Sequence, residues 1–466
     1  MALLMKHSKL CHRLDKNMNN LFGTDGIRGV ANEYPMTPEM ALNIGRAVAF
    51  LFRKDDGRPK IIIGKDTRIS GDMIECGLVS GICSMGGIAH LVGILPTSGV
   101  AFMTASTNAD AGIMISASHN PFYDNGIKIF KGDGYKPADT EEREIEQLVL
   151  GDKLVSISGP VRETGRVHLM DDAVKSYASF LKGTLPETCS LKGMKIVIDC
   201  SNGATFKVAP QLFNELGADV DALFINPDGK NINERCGSQH PEILAKKVVE
   251  NSADIGFAFD GDGDRLVAVD EKGAVLTGDQ VLAICAKSLN KRGLLMGNRV
   301  VITVMSNMGV RIALKDMGID YDVAKVGDRH VVEKMISTGA TLGGEDSGHT
   351  IFLDQHTTGD GMLTALNLIE AMTEESSPLS ELSKIMTILP QVLLNVEVRR
   401  KPEIEGVPEI MEIIKSIETH LREKGRVLVR YSGTQPFCRI MVEGPNLEDT
   451  DRFCRQIAEV VKAKLA

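Results

Sequence analysis

Three segments of the chain, Lys60-Ile-Ile-Ile-Gly64, Lys195-Ile-Val-Ile-Asp199 and Arg299-Val-Val-Ile-Thr303, share one pattern. Each is a basic residue followed by three β-branched residues, then a polar turn and a helical pattern. A run of β-branched residues with no polar alternation suits a strand buried on both faces, as in a helix-covered sheet. The pattern fits any parallel strand, but its return at intervals of more than a hundred residues favours a true repeat. Three similar α/β domains are therefore expected, and 466 residues at 43% hydrophobic content suffice for several cores.

Between the first two repeats lies Met114-Ile-Ser-Ala-Ser-His-Asn-Pro-Phe-Tyr-Asp-Asn-Gly-Ile-Lys128, an apolar run that empties into a polar loop. Gly112 to Ile115 reads as a short buried strand, and Asn120-Pro121 and Asp124-Asn125-Gly126 read as turns. Ser118 then sits at a strand exit, held rigidly and open to ligand, a candidate nucleophile with His119 and Lys128 close by. An ordinary hydroxyl-rich turn fits the same letters. Upstream, Phe22-Gly-Thr-Asp-Gly-Ile-Arg-Gly29 has the glycine content of a tight loop approaching a ligand, with Arg28 as its cation. Thr37-Pro38-Glu39 begins a helix by cap chemistry.

In the second unit a helix is expected from Ala204 to Gly217, followed by Asp254 to Asp270, where Asp260, Asp262 and Asp264 alternate with glycines. Three carboxylates so spaced converge on one hard cation. Glu271 falls at the twelfth position of a calcium-binding loop, but Arg265 stands where that loop needs glycine, and the flanks alternate as strands rather than helices. The third unit holds Lys325-Val-Gly-Asp-Arg-His330 and Leu342-Gly-Gly-Glu-Asp-Ser-Gly-His-Thr350. Glu345, Ser347 and His349 offer donors and acceptors suited to sugar hydroxyls, although a structural turn with a surface histidine also fits. From Pro378 to Val392 the pattern breaks, which reads as a linker, and the remainder reads as strand, helix, strand, strand, helix. Arg430-Tyr-Ser-Gly-Thr-Gln-Pro436, between two of those strands, can wrap a phosphate with a guanidinium, amides and hydroxyls from Ser432, Gly433 and Thr434; a solvated turn is the alternative.

The net charge of −9 is spread along the chain, so a nucleic-acid partner has no electrostatic footprint. Nine scattered cysteines without metal spacing suit reduced thiols and a cytoplasmic setting. No stretch reaches membrane-spanning length, so no membrane association is expected. Residues 1–20 carry Lys6, Lys9, Arg13 and Lys16 without a signal-peptide core and read as a loose extension.

Taken in order, these loops resemble those of the α-D-phosphohexomutase family. The resemblance runs from Phe22 to Ala466 and rests on Phe22 to Ala31, Ile115 to Phe130, Asp260 to Arg265, Gly343 to His349 with Thr357-Thr-Gly-Asp-Gly361, and Arg430 to Pro436. It implies three related α/β domains with mixed sheets and a smaller C-terminal α+β domain around a central cleft. The expected boundaries are 21–176, 177–276, 277–388 and 389–466. It implies that Ser118 carries a phosphoryl group needed for activity, and that Asp260, Asp262 and Asp264 bind one Mg²⁺ with an oxygen of that phosphoserine. Arg28, His119, Lys128, Arg265 and His349 would serve the reacting centre, Glu345 and Ser347 the sugar hydroxyls, and Arg430, Ser432, Gly433 and Thr434 the non-reacting phosphate.

The implied reaction interconverts glucosamine 6-phosphate and glucosamine 1-phosphate through a bound 1,6-bisphosphate, toward UDP-N-acetylglucosamine synthesis, in a monomer or homodimer. Mannose or glucose phosphate is the alternative substrate. Two positions depart from the amino-sugar pattern, with Asp346 in place of glutamine and Gln435 in place of glutamate.

Overall fold

The three repeated segments are central strands of three separate sheets in the computed structural model. It describes residues 21–466 apart from 24, 55–56, 152, 156–162, 187–188 and 433–435. The expected N-terminal extension lies outside the described residues.

The first sheet comprises β1 (Ile27–Val30), β2 (Lys60–Lys65), β3 (Ile88–Ile94), β4 (Ala111–Ile115), β5 (Asp124–Lys131) and β6 (Arg166–Leu169), in the order β1-β5-β4-β2-β3-β6. The second holds β7 (Lys195–Asp199), β8 (Asp219–Leu223), β9 (Ile255–Phe259) and β10 (Leu266–Asp270), in the order β10-β9-β7-β8. The third holds β11 (Arg299–Thr303), β12 (Asp320–Ala324), β13 (Leu342–Gly344) and β14 (Thr350–Phe352), in the order β14-β13-β11-β12.

Each sheet contains the same four-strand order. The repeat strands β2, β7 and β11 pair in parallel on both sides, which is why they read as unbroken β-branched runs. Beside each lies an antiparallel hairpin, β4/β5, β9/β10 or β13/β14. The three hairpin loops carry Ser118, the aspartate triad, and Glu345 to His349 respectively. The fold is thus three mixed α/β sheets plus a smaller unit built from β15 (Gln391–Glu397), β16 (Arg426–Tyr431), β17 (Phe437–Glu443) and two long helices, Pro408–Leu421 and Leu447–Leu465.

One apolar cluster runs through the first three units, from Ile62, Met114 and Phe130 through Tyr177 and Phe213 to Leu282, Leu366 and Met386. The C-terminal unit has its own core around Ile410, Ile440, Phe453 and Ile457. It docks on the third unit through polar contacts. Arg426, paired to Glu443 at 2.7 Å, donates to the carbonyls of Val304 and Ser306, each at 2.7 Å, and Glu443 accepts from the amide of Met308 at 3.0 Å.

Three sequence expectations are corrected. The helix expected from Ala204 spans Val208–Glu215, because Ser201 and Asn202 adopt positive φ and the chain turns until Lys207. Pro378 to Val392 includes the helical turn Leu379–Leu382, where Leu379 is fully buried and the amide of Ser380 donates to Glu271 at 3.2 Å. Asp124 to Gly126 is no turn but the start of β5, paired to β1 with Gly126 opposite Arg28.

The cause of the last difference is close packing. A Cβ on Gly126 would lie 2.5 Å from the carbonyl oxygen of Ser116, so glycine here lets the strand pass the serine loop rather than end. Gly126→Ala is therefore expected to destabilise the fold by about 1–3 kcal/mol through overpacking. Urea denaturation of the variant against the parent measures it, and an unchanged midpoint would exclude the close approach.

Candidate active site

The β4/β5 loop holds Ser118 at φ 54°, in the left-handed region that a β-substituted residue adopts only when its surroundings impose it. Those surroundings are specific. The Ser118 amide donates to Ser116 Oγ at 2.9 Å, and Ser116 donates to Asp66 at 2.6 Å. Arg68, itself paired to Asp66, donates to the carbonyls of Ser118, Asn120 and Pro121 at 2.8, 2.9 and 2.8 Å. From the second unit, Asn233 donates to the carbonyls of Ser118 and Asn120 at 2.9 and 3.0 Å. Ser118 is buried, and its hydroxyl donates to Asp260 Oδ2 at 2.5 Å, with His119 Nδ1 at 3.3 Å.

Asp260, Asp262 and Asp264 lie on the turn from β9 to β10, all buried, and one oxygen from each falls within 4.8 Å of the others. Asp262 Oδ1 and Asp264 Oδ1 are buried without a hydrogen-bond partner, which is the donor set a hard cation needs. The other oxygens are committed: Thr97 donates to Asp262 Oδ2 at 2.5 Å, and Lys128 Nζ lies 2.8 Å from Asp262, 3.0 Å from Asp264 and 3.0 Å from Asp25.

Burial, then Asp264 and Asp262, push the Asp260 carboxyl well above the usual carboxylate range. Burial opposes the charge of Asp262 too, but Lys128 overrides it and holds that carboxyl low. Burial works against the Lys128 ammonium as well, and Asp25, Asp262 and Asp264 reverse this and hold it protonated.

A cavity of about 500 Å³ opens above this floor, lined by Asp25, Arg28, His119, Asp264, Arg265, Glu345 and His349 among others. Both ring nitrogens of His349 are buried without a hydrogen-bond partner. Burial and the charges of Arg265 and Arg28 lower His119 to about 4, leaving it neutral near pH 7. Arg28 pairs with Asp25 at 2.5 Å, and Glu345 accepts from the Gly327 amide at 2.9 Å.

Ser118, Arg28, His119, Lys128, the three aspartates, Arg265, Glu345 and His349 thus converge. Others do not. Ser347 is exposed and off the cavity wall, Arg430 sits 3.9 Å from the sulfur of Met305, and Ser432 is buried with its carbonyl accepting from Lys401 at 2.8 Å. Gly433 and Thr434 lie outside the described residues. Asp346 is exposed and accepts from the Asp279 amide at 3.3 Å.

Sequence reasoning missed Asp25, Asp66, Arg68, Thr97 and Asn233. Asp25 lay within a motif already singled out, and Asp66 and Arg68 share a strand exit with the first repeat. Thr97 and Asn233 carry no local signal.

Sheets with one strand order, meeting at a cleft floored by a serine and a carboxylate cluster, define a phosphoryl-transfer type of site. The chain matches the phosphoglucomutase/phosphomannomutase alpha/beta/alpha domain I over residues 19–155, domain II over 175–273, domain III over 277–388 and the C-terminal domain over 393–460. It belongs to that family. It is 60% identical over 448 residues to a phosphoglucosamine mutase of Syntrophus aciditrophicus (strain SB), covering 96% of this chain and 100% of that protein. To a phosphoglucosamine mutase of Syntrophobacter fumaroxidans it is 57% identical with the same coverage. Its fold is similar to a phosphoglucomutase/phosphomannomutase family protein from Burkholderia thailandensis, with a TM-score of 0.77 and 24% identity over 94% of this chain and 97% of that one. It is also similar to an N-acetylphosphoglucosamine mutase of Aspergillus fumigatus in complex with GlcNAc-6P and magnesium, with a TM-score of 0.66 and 16% identity over 95% of each chain.

The raised Asp260 carboxyl gives a pH test. Its folded pKa lies above its unfolded one, so its contribution is favourable at low pH and is lost as pH rises through the folded value. A divalent cation displaces that proton and relieves the repulsion. The rise in melting temperature on adding Mg²⁺ should therefore be larger in mildly alkaline than in acidic buffer, and thermal denaturation with and without the cation tests this; an equal rise in both would count against the site.

Proposed function

We propose that the chain is a phosphoglucosamine mutase that interconverts glucosamine 6-phosphate and glucosamine 1-phosphate by way of a phosphoserine at Ser118 and a bound 1,6-bisphosphate. The observation that carries this reading is the Ser118 hydroxyl 2.5 Å from Asp260, with His119 and Asp264 beside them lining a cavity that Arg28, Arg265, Glu345 and His349 also wall. The identity to phosphoglucosamine mutases along nearly the whole chain supports the substrate class.

In the first half-reaction a free sugar hydroxyl of the monophosphate attacks the phosphorus on Ser118. The new sugar O–P bond forms as the Ser118 Oγ–P bond breaks, and the hydroxyl proton passes to a base. His119, neutral near pH 7, and His349, with unpartnered ring nitrogens, are the proton-transfer groups facing the cavity. Arg28 and Arg265 stabilise the charge that spreads over the transferring oxygens. Asp260, Asp262 and Asp264 would hold Mg²⁺ with a phosphoserine oxygen, and the cation supplies charge neutralisation during transfer. After the bisphosphate reorients, Ser118 Oγ attacks its other phosphate, that sugar O–P bond breaks, and the proton returns to the sugar oxygen.

Glu345 is assigned to the sugar hydroxyls. Ser347 joins it if the loop reorganises on binding, being exposed as the loop stands. Arg430, Ser432, Gly433 and Thr434 are assigned to the phosphate that is not reacting, a role for an arginine fork that recognises oxygens rather than the carbon bearing them. Since Arg430 is off the cavity wall, this requires the C-terminal unit to swing toward the cleft. The proposed boundaries, 21–176, 177–276, 277–388 and 389–466, place one loop in each domain. No described helix is long and apolar enough to cross a membrane, and a cytoplasmic location fits the unpaired cysteines.

A coupled assay on glucosamine, glucose and mannose phosphates should give the highest kcat/KM for glucosamine phosphate, and Ser118→Ala should abolish turnover while the protein still folds. A preference for mannose phosphate would replace the substrate reading, and phosphate mapped to Ser116 would replace the carrier. Arg430→Ala should raise KM and release free 1,6-bisphosphate, measured per turnover; unchanged release with full activity would put the clamp elsewhere.

A further inference from the structure

Asp25, in the glycine-rich loop before β1, has three cations on one carboxylate. Its Oδ2 takes Arg28 at 2.5 Å and Lys128 at 3.0 Å, and its Oδ1 takes Lys136. Lys136 is also ion-paired to Asp328, the first residue of the helix Asp328–Thr338 in the third unit. The residue before it, Gly327, donates its amide to Glu345 at 2.9 Å. A continuous chain of polar contacts therefore runs from Lys128 and the aspartate triad, through Asp25, Lys136 and Asp328, to the glutamate assigned to the sugar.

The segment bearing Lys136 is fixed from both sides. Pro137 restricts the backbone of Lys136 to extended conformations, and Thr357 of the third unit donates to the carbonyl of Gly134 at 2.8 Å. The side chains of Lys136 and Asp328 are 13% and 12% exposed, so neither has enough water to replace its partner.

We infer that Lys136 is a positioning residue that ties the sugar-recognition loop to the phosphoryl-transfer centre, through Asp328 on one side and Asp25 on the other. The motif Lys325 to His330, which the sequence reading left without a task, supplies the far end of this link. The inference rests on the proposed phosphoserine reaction. Without the Lys136 charge, Asp25 loses the partner on Oδ1, the anion facing Arg28 and Lys128 is no longer fixed, and Glu345 loses its link to Asp25. Small misplacement of this kind lowers the rate of the bound complex more than it weakens ground-state binding.

A second bridge between the same units provides an internal control. Arg329 pairs with Asp139 at 2.6 Å and with Glu142, but neither acid touches Asp25. If Lys136 merely held the units together, cutting the Arg329 bridge would have the same effect.

The test compares steady-state kinetics of the full chain on glucosamine phosphate for Lys136→Met, Lys136→Arg, Asp328→Asn, Arg329→Ala and Glu345→Gln, with phosphorylation at Ser118 checked by mass spectrometry. Lys136→Met is expected to lower kcat by about 100-fold with little change in KM. Lys136→Arg should restore part of it, and Arg329→Ala should leave kcat near the parent value. Lys136→Met combined with Glu345→Gln should be no worse than the poorer single variant, since both act through one chain. If Lys136→Met fails to fold, Asp328→Asn is read in its place. A parental kcat in the substituted protein, additive losses in the double variant, or an equal loss in Arg329→Ala would each overturn the inference. A parent protein lacking phosphate on Ser118 or any mutase activity would instead overturn the functional reading beneath it.

Discussion

The buried ammonium of Lys128 is the contact on which the floor of the cleft depends. It lies on β5 of the first unit and meets Asp262 and Asp264 of the second within 3.0 Å, along with Asp25. Desolvating one such cation costs several kcal/mol, while a charge pair at about 4 Å and an effective dielectric of about 20 attracts by about 4 kcal/mol. One carboxylate would leave the balance near zero. Three tip it firmly, consistent with a Lys128 pKa held well above its ordinary value despite complete burial. The same contact joins the serine hairpin of one unit to the carboxylate turn of the next, so Ser118 and Asp260 meet because Lys128 and the triad do.

Much of this was legible in the sequence where the signal was local. The β-branched runs gave the repeat because both neighbours of β2, β7 and β11 are parallel strands, which leaves no face for polar residues. Alternating aspartates and a serine after an apolar run were equally local, and the structure brings them together. What escaped depended on long-range contacts. Asn233 grips the Ser118 loop from 115 residues away, and Thr97 reaches Asp262 across 165. Neither residue type departs from an ordinary loop or helix start. Gly126 misled for a related reason, since Asn-Gly favours a turn locally while its packing against Ser116 requires a strand. The loop at Arg430 was legible as a motif, but Arg430 lies off the cavity wall, because its position depends on how one domain sits against another.

That difference between domains has a physical origin. The first three units share a continuous apolar core, so relative movement among them would expose buried hydrocarbon. The C-terminal unit has a separate core and meets the third through a compact polar junction of Arg426, Glu443 and backbone groups. With Glu443 fully buried and Arg426 largely so, this junction holds the unit by a few specific contacts rather than by shared hydrocarbon, and a swing of the unit has to break them or carry them along. On the proposed reaction, the three-unit core fixes the reacting groups while the proposed phosphate clamp sits on the separately cored unit.

The shared strand order has a consequence for how such proteins diversify. Each unit presents its working residues from the loop of an equivalent hairpin, and the hydrogen-bond ladder that fixes a hairpin is internal to its own sheet. A loop can therefore be lengthened or rewritten in one unit without shifting strand register in the others. The Glu345 to His349 loop is set between β13 and β14 by only three paired residues, whereas the Ser118 and triad loops close hairpins with five. On the proposed assignment, the shortest ladder carries the part that chooses the sugar. A change in that loop therefore disturbs the fewest ladder bonds and leaves the hairpins of the serine and the aspartate triad in register.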